Sequence, residues 1–212
     1  MNWITKLERK YGRLCIPNLI NILIGGQILV YAIELFVNQY ISFYLDLDRS
    51  GLLAGQIWRV ITFVLVPFSG GGPLSVILGI YFTWFIGSAL EREWGDFRFN
   101  LYVLLGMAGA VLACLLTGYA DTYCLSLSLL LAFAMLYPEM QVLLFFVVPI
   151  KVQYFGWFSA ALWVFGFLGM GPAGKLNYLL CMLGFAAFFG PQAWRSIRAW
   201  VRREQWKRKN RR

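Results

Sequence analysis

Few side chains in this sequence have the chemistry of a nucleophile or a base. Ser126 and Ser128 lie in an apolar segment, and Ser126 is the candidate nucleophile. The 212 residues contain no histidine. Because a serine hydroxyl attacks poorly near neutral pH without an adjacent base, the residue types argue against an ordinary serine hydrolase site.

Lys175 is an alternative base for Ser126. A desolvated lysine can accept a proton from a hydroxyl group. Lys175, however, follows a glycine-rich turn, so we expect it to stay hydrated and protonated. An intramembrane hydrolase that uses this pair remains the alternative enzymatic hypothesis.

The other reactive residue types form no recognisable site. The cysteines are widely spaced, without a C-x-x-C pattern, so we predict neither a metal site nor a disulfide nor a cofactor. They are Cys15, Cys114, Cys124 and Cys181. Glu34 lies in an apolar segment, where a carboxylate is a functional candidate, but Asn38 and Gln39 follow it closely and favour a structural role near the membrane surface.

The elements that must position these residues are membrane helices. The chain is 60% hydrophobic and 14% charged, which excludes an ordinary soluble domain. The sequence predicts an all-α, polytopic membrane bundle with an embedded first loop. Its six predicted transmembrane helices cover about residues 16–44, 74–90, 99–117, 123–137, 152–168 and 176–189. Residues 140–148 are predicted to form an interfacial segment rather than a span. The third helix has a small-residue face suited to tight packing, formed by Gly106, Gly109, Ala110, Ala113 and Thr117.

Basic residues flank the membrane region at both ends. A basic segment, 1–13, precedes the membrane domain at 14–190, and a second basic segment, 191–212, follows it. Because basic flanks stay in the cytoplasm, both termini are predicted to be cytoplasmic. Tryptophans alternate with the basic residues of the tail, which favours anionic lipid rather than nucleic acid as the partner of the basic termini.

The most informative stretch runs from residue 55 to residue 95. Small or polar residues recur at every fourth position of its helix, a spacing that lets another backbone approach closely. These residues are Ser75, Gly79, Thr83, Gly87 and Glu91. The preceding residues, 52–68, are too short and broken to cross alone, so we predict a loop half in the outer leaflet, with Trp58 as an anchor and Arg59 bonded to loop carbonyls.

This stretch resembles the rhomboid superfamily of intramembrane serine proteases and their inactive relatives. Two motifs carry the resemblance. They are Gly-Gln-x-Trp-Arg, which contains Trp58 and Arg59, and Leu-Glu-x-x-Trp-Gly, which contains Glu91, Trp94 and Gly95. We predict that these five residues maintain the scaffold.

The resemblance also implies where catalytic residues would lie, and this chain departs from the pattern there. The nucleophile position falls at Tyr123, and the histidine position falls at Cys181. Ser75 and Gly79 replace the residues that hold the oxyanion. We therefore expect a rhomboid-like pseudoprotease that is not an enzyme.

By resemblance to inactive rhomboids and derlins, such a protein binds transmembrane segments of clients in quality control, trafficking or dislocation. The expected location is a plasma membrane, with a bacterial inner membrane favoured. A serine-type endopeptidase with an unorthodox site stays an alternative. A small-molecule carrier is a further alternative, for which Glu34 is the main ionisable candidate inside the spans.

Overall fold

A computed structural model describes residues 3–12, 15–67, 72–120, 122–144 and 148–190. The predicted basic tail at 191–212 lies outside the described residues. The helices are α1 (Trp3–Tyr11), α2 (Leu19–Phe36), α3 (Ile41–Leu45), α4 (Arg49–Leu53), α5 (Arg59–Thr62), α6 (Pro73–Trp94), α7 (Asp96–Thr117), α8 (Tyr123–Leu136), α9 (Val152–Gly169) and α10 (Pro172–Cys181). The strands are β1 (Leu47–Asp48), β2 (Tyr119–Ala120), β3 (Gln141–Leu144) and β4 (Val148–Lys151).

Four helices of the described part are long and apolar enough to cross a membrane: α2, α6, α7 and α9. α8 contains a shorter apolar helix, Leu125–Leu136. After α10, a turn at Met182 separates it from helical residues 183–190. The expectation of a mostly helical, multi-pass membrane protein is therefore confirmed.

The first predicted span is shorter than the sequence suggested. Helix α2 ends at Phe36, whereas the predicted span continues to Tyr44. Asn38 Oδ1 accepts the backbone N–H of Tyr40 at 2.9 Å, and α3 starts directly after that turn. The asparagine side chain thus satisfies a backbone donor and ends the helix, which hydropathy alone did not register.

A short antiparallel pairing fixes the first loop against the far end of α7. Leu47 in β1 pairs with Ala120 in β2, and Asp48 pairs with Tyr119. The backbone N–H of Arg49 also donates to the carbonyl of Gly118 at 3.1 Å. Two segments separated widely in sequence therefore share one end of the bundle.

The connection between α8 and α9 is a β-hairpin. The predicted interfacial segment had no assigned secondary structure, so the strand pairing is new information. Strands β3 and β4 pair antiparallel, with Gln141 opposite Lys151 and Leu144 opposite Val148. Pro149 stops any helix here because it lacks a backbone donor. In a two-stranded pair it can lie on an open edge, which explains how strand pairing tolerates it.

Helix α7 lies at the centre of the packing and uses the small-residue face that the sequence predicted. Gly106, Gly109, Ala110 and Ala113 are all buried. A Cβ atom added at Gly109 would overlap the carbonyl oxygen of Leu180 in α10. Glycine is required there because the two helix backbones approach too closely for a side chain.

Candidate functional site

A cavity of about 250 Å³ lies between four of the apolar helices. Its walls come from α2, α6, α8 and α9. The lining residues are Gln27, Gly79, Ile80, Phe82, Thr83, Ile86, Tyr123, Ser126, Leu127, Leu129, Leu130 and Ser159. The cavity therefore combines apolar walls with a small set of polar groups, and none of its lining residues carries a formal charge.

The polar groups of the cavity are an amide and several hydroxyl groups. Gln27 and Ser159 are buried, and Ser126 is half-buried. The Thr83 hydroxyl donates to the carbonyl of Gly79 at 2.8 Å, one turn earlier in α6. Such neutral groups can exchange hydrogen bonds with an uncharged partner, whereas a bare ion would find no countercharge here.

The stripe of small residues along α6 has two different environments. At Gly87, an added Cβ atom would overlap Ile20 Cδ1, so α2 packs directly on this part of the helix. At Gly79, an added Cβ atom would meet nothing within 4 Å. The stripe is therefore closely packed at Gly87, where a side chain of α2 rather than its backbone makes the contact, while Gly79 lines open space.

The first loop is fixed mainly through Arg59, which is buried although it is charged. Its Nη1 donates to the carbonyls of Phe43 at 3.1 Å and Asp46 at 2.7 Å, and its Nε donates to Gln56 Oε1. The prediction that Arg59 bonds backbone carbonyls is confirmed, but both carbonyls precede the predicted loop at 52–68. A guanidinium group suits this role because its several donors point in fixed directions.

Two further side chains hold the end of the loop. Gln27 Nε2 donates to the carbonyl of Val64 at 3.1 Å, and the Thr122 hydroxyl donates to the carbonyl of Phe63 at 2.6 Å. Sequence reasoning missed both residues. The available signal for Gln27 was an amide placed directly after Gly25-Gly26 in an otherwise apolar helix, where a polar group needs a partner.

The polar turn at the loop surface has a titratable group with a defined environment. The Ser50 hydroxyl donates to Asp48, and the backbone N–H of Gly51 donates to Asp48 Oδ2 at 3.1 Å. Hydrogen bonds to the ionised carboxylate, first from Ser50 and then from Gly51, lower the pKa of Asp48 below its usual 3.8. Asp48 also caps α4 through the Gly51 bond.

Trp58 and Glu34 lie apart from the cavity lining. The Trp58 side chain is 55% exposed, which is compatible with the predicted anchor at the membrane surface. Glu34 Oε2 accepts a hydrogen bond from the Ser42 hydroxyl at 3.0 Å. This contact joins the end of α2 to α3, as a structural carboxylate would.

Glu91, Trp94 and Gly95 connect the opposite end of the bundle. Glu91 Oε1 accepts the backbone N–H of Leu19 at 2.7 Å and so caps α2, whose own N-cap residue makes no side-chain cap bond. Trp94 packs against Tyr102 and Phe188, with ring centroids 5.2 and 5.3 Å away. Gly95 has φ of 78°, which lets the chain turn from α6 into α7 in one residue.

The family model described as Rhomboid domain matches residues 54–190, which is more than half of the chain. The chain belongs to the rhomboid family. No curated protein matches it.

The residues at the positions expected for the family's catalytic groups do not all lie in the cavity. Tyr123 and Gly79 both line the cavity. Ser75 is exposed near the start of α6, one turn before Gly79. Cys181 is the last residue of α10, and its side chain lies outside the described part.

Ser126, the candidate nucleophile, also lines the cavity, but Lys175, its candidate base, does not. Lys175 lies instead near α9, with its Nζ 5.8 Å from the centroid of the Phe167 ring. The geometry therefore gives no support to a Ser126–Lys175 pair. Ser128 and Asn177 donate to the backbone carbonyls of Leu125 and Tyr119, at 2.8 and 2.9 Å.

Proposed function

We propose that this rhomboid-family protein binds transmembrane segments of other membrane proteins and does not hydrolyse them. The observation that carries the proposal is the composition of the cavity together with that of the chain. The position expected for the family's nucleophile falls at Tyr123, which lines the cavity, and the 212 residues contain no histidine to act as a base. A cavity without a nucleophile–base pair can still bind a transmembrane segment.

The cavity has the chemistry expected of a binding site inside a membrane. A polar group of a client helix lacks hydrogen-bond partners in hydrocarbon, and leaving it unpaired costs about 1–3 kcal/mol. Gln27, Ser126 and Ser159 offer neutral partners to such a group. The surrounding leucine and phenylalanine side chains suit the apolar remainder of a transmembrane segment.

A client would enter between α6 and α9 in this proposal. The rings of Phe82 and Phe155 lie across that boundary with centroids 6.3 Å apart. Phe82 also lines the cavity, so this pair of rings lies at the proposed entry. The proposal includes six membrane crossings, with α8 and the segment from α10 to residue 190 as the shorter two, and cytoplasmic termini in a bacterial plasma membrane.

The cellular role proposed for this binding is that of the inactive rhomboids and derlins. They act in quality control, trafficking or dislocation of membrane proteins. The support is the rhomboid membership combined with the absence of histidine from the sequence. Genetic deletion followed by quantitative comparison of membrane proteins would identify clients whose abundance depends on this chain.

Site-specific crosslinking tests the binding directly. A photoreactive phenylalanine analogue is placed at Phe82, and the protein is reconstituted with a labelled single-span reporter peptide. A matched variant carries the analogue at Trp157, which is 71% exposed on α9 and does not line the cavity. We expect crosslinking from position 82 that an unlabelled reporter competes away. Equal yields from both positions would contradict the proposal.

The enzymatic alternative rests on the location of Ser126 in the cavity. The same reporter peptide is analysed by mass spectrometry for cleavage, and the protein is treated with a fluorophosphonate probe. We expect an intact reporter and no labelling that depends on Ser126. Cleavage or labelling that disappears in Ser126→Ala would establish an endopeptidase or another serine hydrolase.

The carrier alternative has less support. Glu34 is bonded to Ser42 and does not line the cavity, and the lining residues carry no formal charge. A pathway for an ion would need charged or strongly coordinating groups along its course.

A further inference from the structure

Helix α1 has a basic face that the client-binding proposal does not use. Lys6, Arg9 and Lys10 are exposed. Residues three and four positions apart share a helix face, so these three side chains lie on one side of α1. Glu8 lies on the opposite side and pairs with Arg98 of α7, with Oε2 2.8 Å from Nη2.

The position of α1 along the bundle is fixed by contacts with the start of α7. Besides the Glu8–Arg98 pair, Asn100 bonds both backbone groups of Ile16. Its Oδ1 accepts the Ile16 N–H at 3.2 Å, and its Nδ2 donates to the Ile16 carbonyl at 2.8 Å. α1 therefore lies where the apolar helices α2 and α7 begin, which is the depth of lipid headgroups.

Three carboxylates near this end have other partners. Glu8 binds Arg98, Glu91 accepts from Leu19, and Glu93 accepts from the Tyr137 hydroxyl at 3.0 Å. Within the described residues, the basic face makes no salt bridge. The side of α1 next to the basic face carries Leu7 and the 43% exposed ring of Tyr11, a pattern typical of helices that lie at a membrane surface.

We propose that the basic face of α1 binds the phosphate groups of anionic phospholipids in the leaflet at this end of the bundle. The occupant is the lipid bilayer itself, because the membrane helices place α1 beside its headgroups. The Glu8–Arg98 pair holds the face outward, and the three cations supply the charge complementarity. This inference is independent of client binding and of hydrolysis.

The test maps lipid contacts on the full-length protein. The protein is reconstituted in nanodiscs of phosphatidylcholine with a minor share of phosphatidylglycerol. Either lipid carries a diazirine near its headgroup, and labelled peptides are identified by mass spectrometry. We expect the phosphatidylglycerol probe to label residues 3–12 several-fold more than the phosphatidylcholine probe. Raising the salt concentration should reduce this preference, because ions screen exposed charges.

Variants assign the preference to the three cations. In Lys6→Gln/Arg9→Gln/Lys10→Gln, labelling of α1 by the phosphatidylglycerol probe should fall by at least about fivefold. A single basic residue near an anionic surface already contributes about that factor. Arg49→Gln removes an exposed cation from the other end of the bundle and should leave the labelling unchanged. Equal labelling by the two lipid probes in the unmodified protein would overturn the proposal, even if the triple variant failed to fold.

Discussion

The two ends of α6 differ in how closely the neighbouring helices pack against them. At the closed end, around Gly87, Glu91 and Gly95, helices contact each other directly, and Glu91 caps a neighbouring helix. At the open end, around Gly79 and Thr83, a cavity separates the helices. One stripe of residues spaced four positions apart therefore packs closely in one half of the helix and lines a candidate binding site in the other half.

The difference follows from what covers each end. Helices satisfy their own backbone groups, so the closed end needs few polar side chains. The open end is bordered by an irregular loop, whose carbonyls require donors from Arg59, Gln27 and Thr122. Gln27 connects the two features, because it lines the cavity and also bonds the loop carbonyl of Val64.

Removal of the main loop anchor should have the largest effect on this comparison. We expect Arg59→Ala to lower the free energy of unfolding by about 3 kcal/mol, because it leaves the carbonyls of Phe43 and Asp46 without their donor. Unfolding in detergent micelles measures the loss. The control Arg92→Ala changes an exposed arginine in the last turn of α6 and should stay within about 0.5 kcal/mol.

The corresponding change at the closed end should be somewhat smaller. We expect Glu91→Ala to lower the free energy of unfolding by about 2 kcal/mol, because the N–H of Leu19 loses its cap. Glu91→Gln keeps an acceptor oxygen and should recover most of the stability. Glu93→Ala serves as the matched control, because it removes an exposed carboxylate of the same turn that accepts from the Tyr137 hydroxyl and not from a backbone N–H. A loss for Glu93→Ala as large as that for Glu91→Ala would argue against the capping role.

Alanine substitution at two glycines of one stripe sharpens the comparison further. Gly87→Ala should destabilise the protein by about 1 kcal/mol, because Ile20 must move and overpacking outweighs the gain in helix propensity. Gly79→Ala should be neutral or stabilising by up to about 1 kcal/mol, since its Cβ enters open space. Thermal unfolding of both variants in one detergent tests the sign. Equal destabilisation would mean that both halves of α6 are closely packed.

The smallest expected effect concerns acid titration at the loop. Asp48 has a lowered pKa, so its contribution to stability is present above the unfolded value of 3.8 and is lost as pH falls through the folded pKa. Ser50→Ala removes the largest cause of the shift. We expect the pKa of Asp48 to rise toward 3.8 in this variant, as measured by NMR titration. A folded-state pKa of Asp48 unchanged by Ser50→Ala would show that the hydroxyl does not stabilise the carboxylate.

Local signals predicted several parts of this molecule well. Composition indicated a membrane bundle, and the spacing of glycines identified the buried face of α7, because lipid leaves close van der Waals packing as the main reason for small residues. The Arg59 contacts followed from the cost of unpaired carbonyls in a membrane loop. The termination of α2 by Asn38 was missed, since one asparagine barely changes the hydropathy of a long apolar run.

The sequence by itself determined the membrane class, the rhomboid motifs and the absence of a histidine base, because residue types and short spacings carry that information. Only the tertiary structure decided that Gln27 and Ser159 share one cavity with Tyr123 and Ser126, and that Gly79 faces space while Gly87 faces a helix. These residues lie far apart along the chain. Their proximity depends on how whole helices pack against one another, which no local pattern specifies.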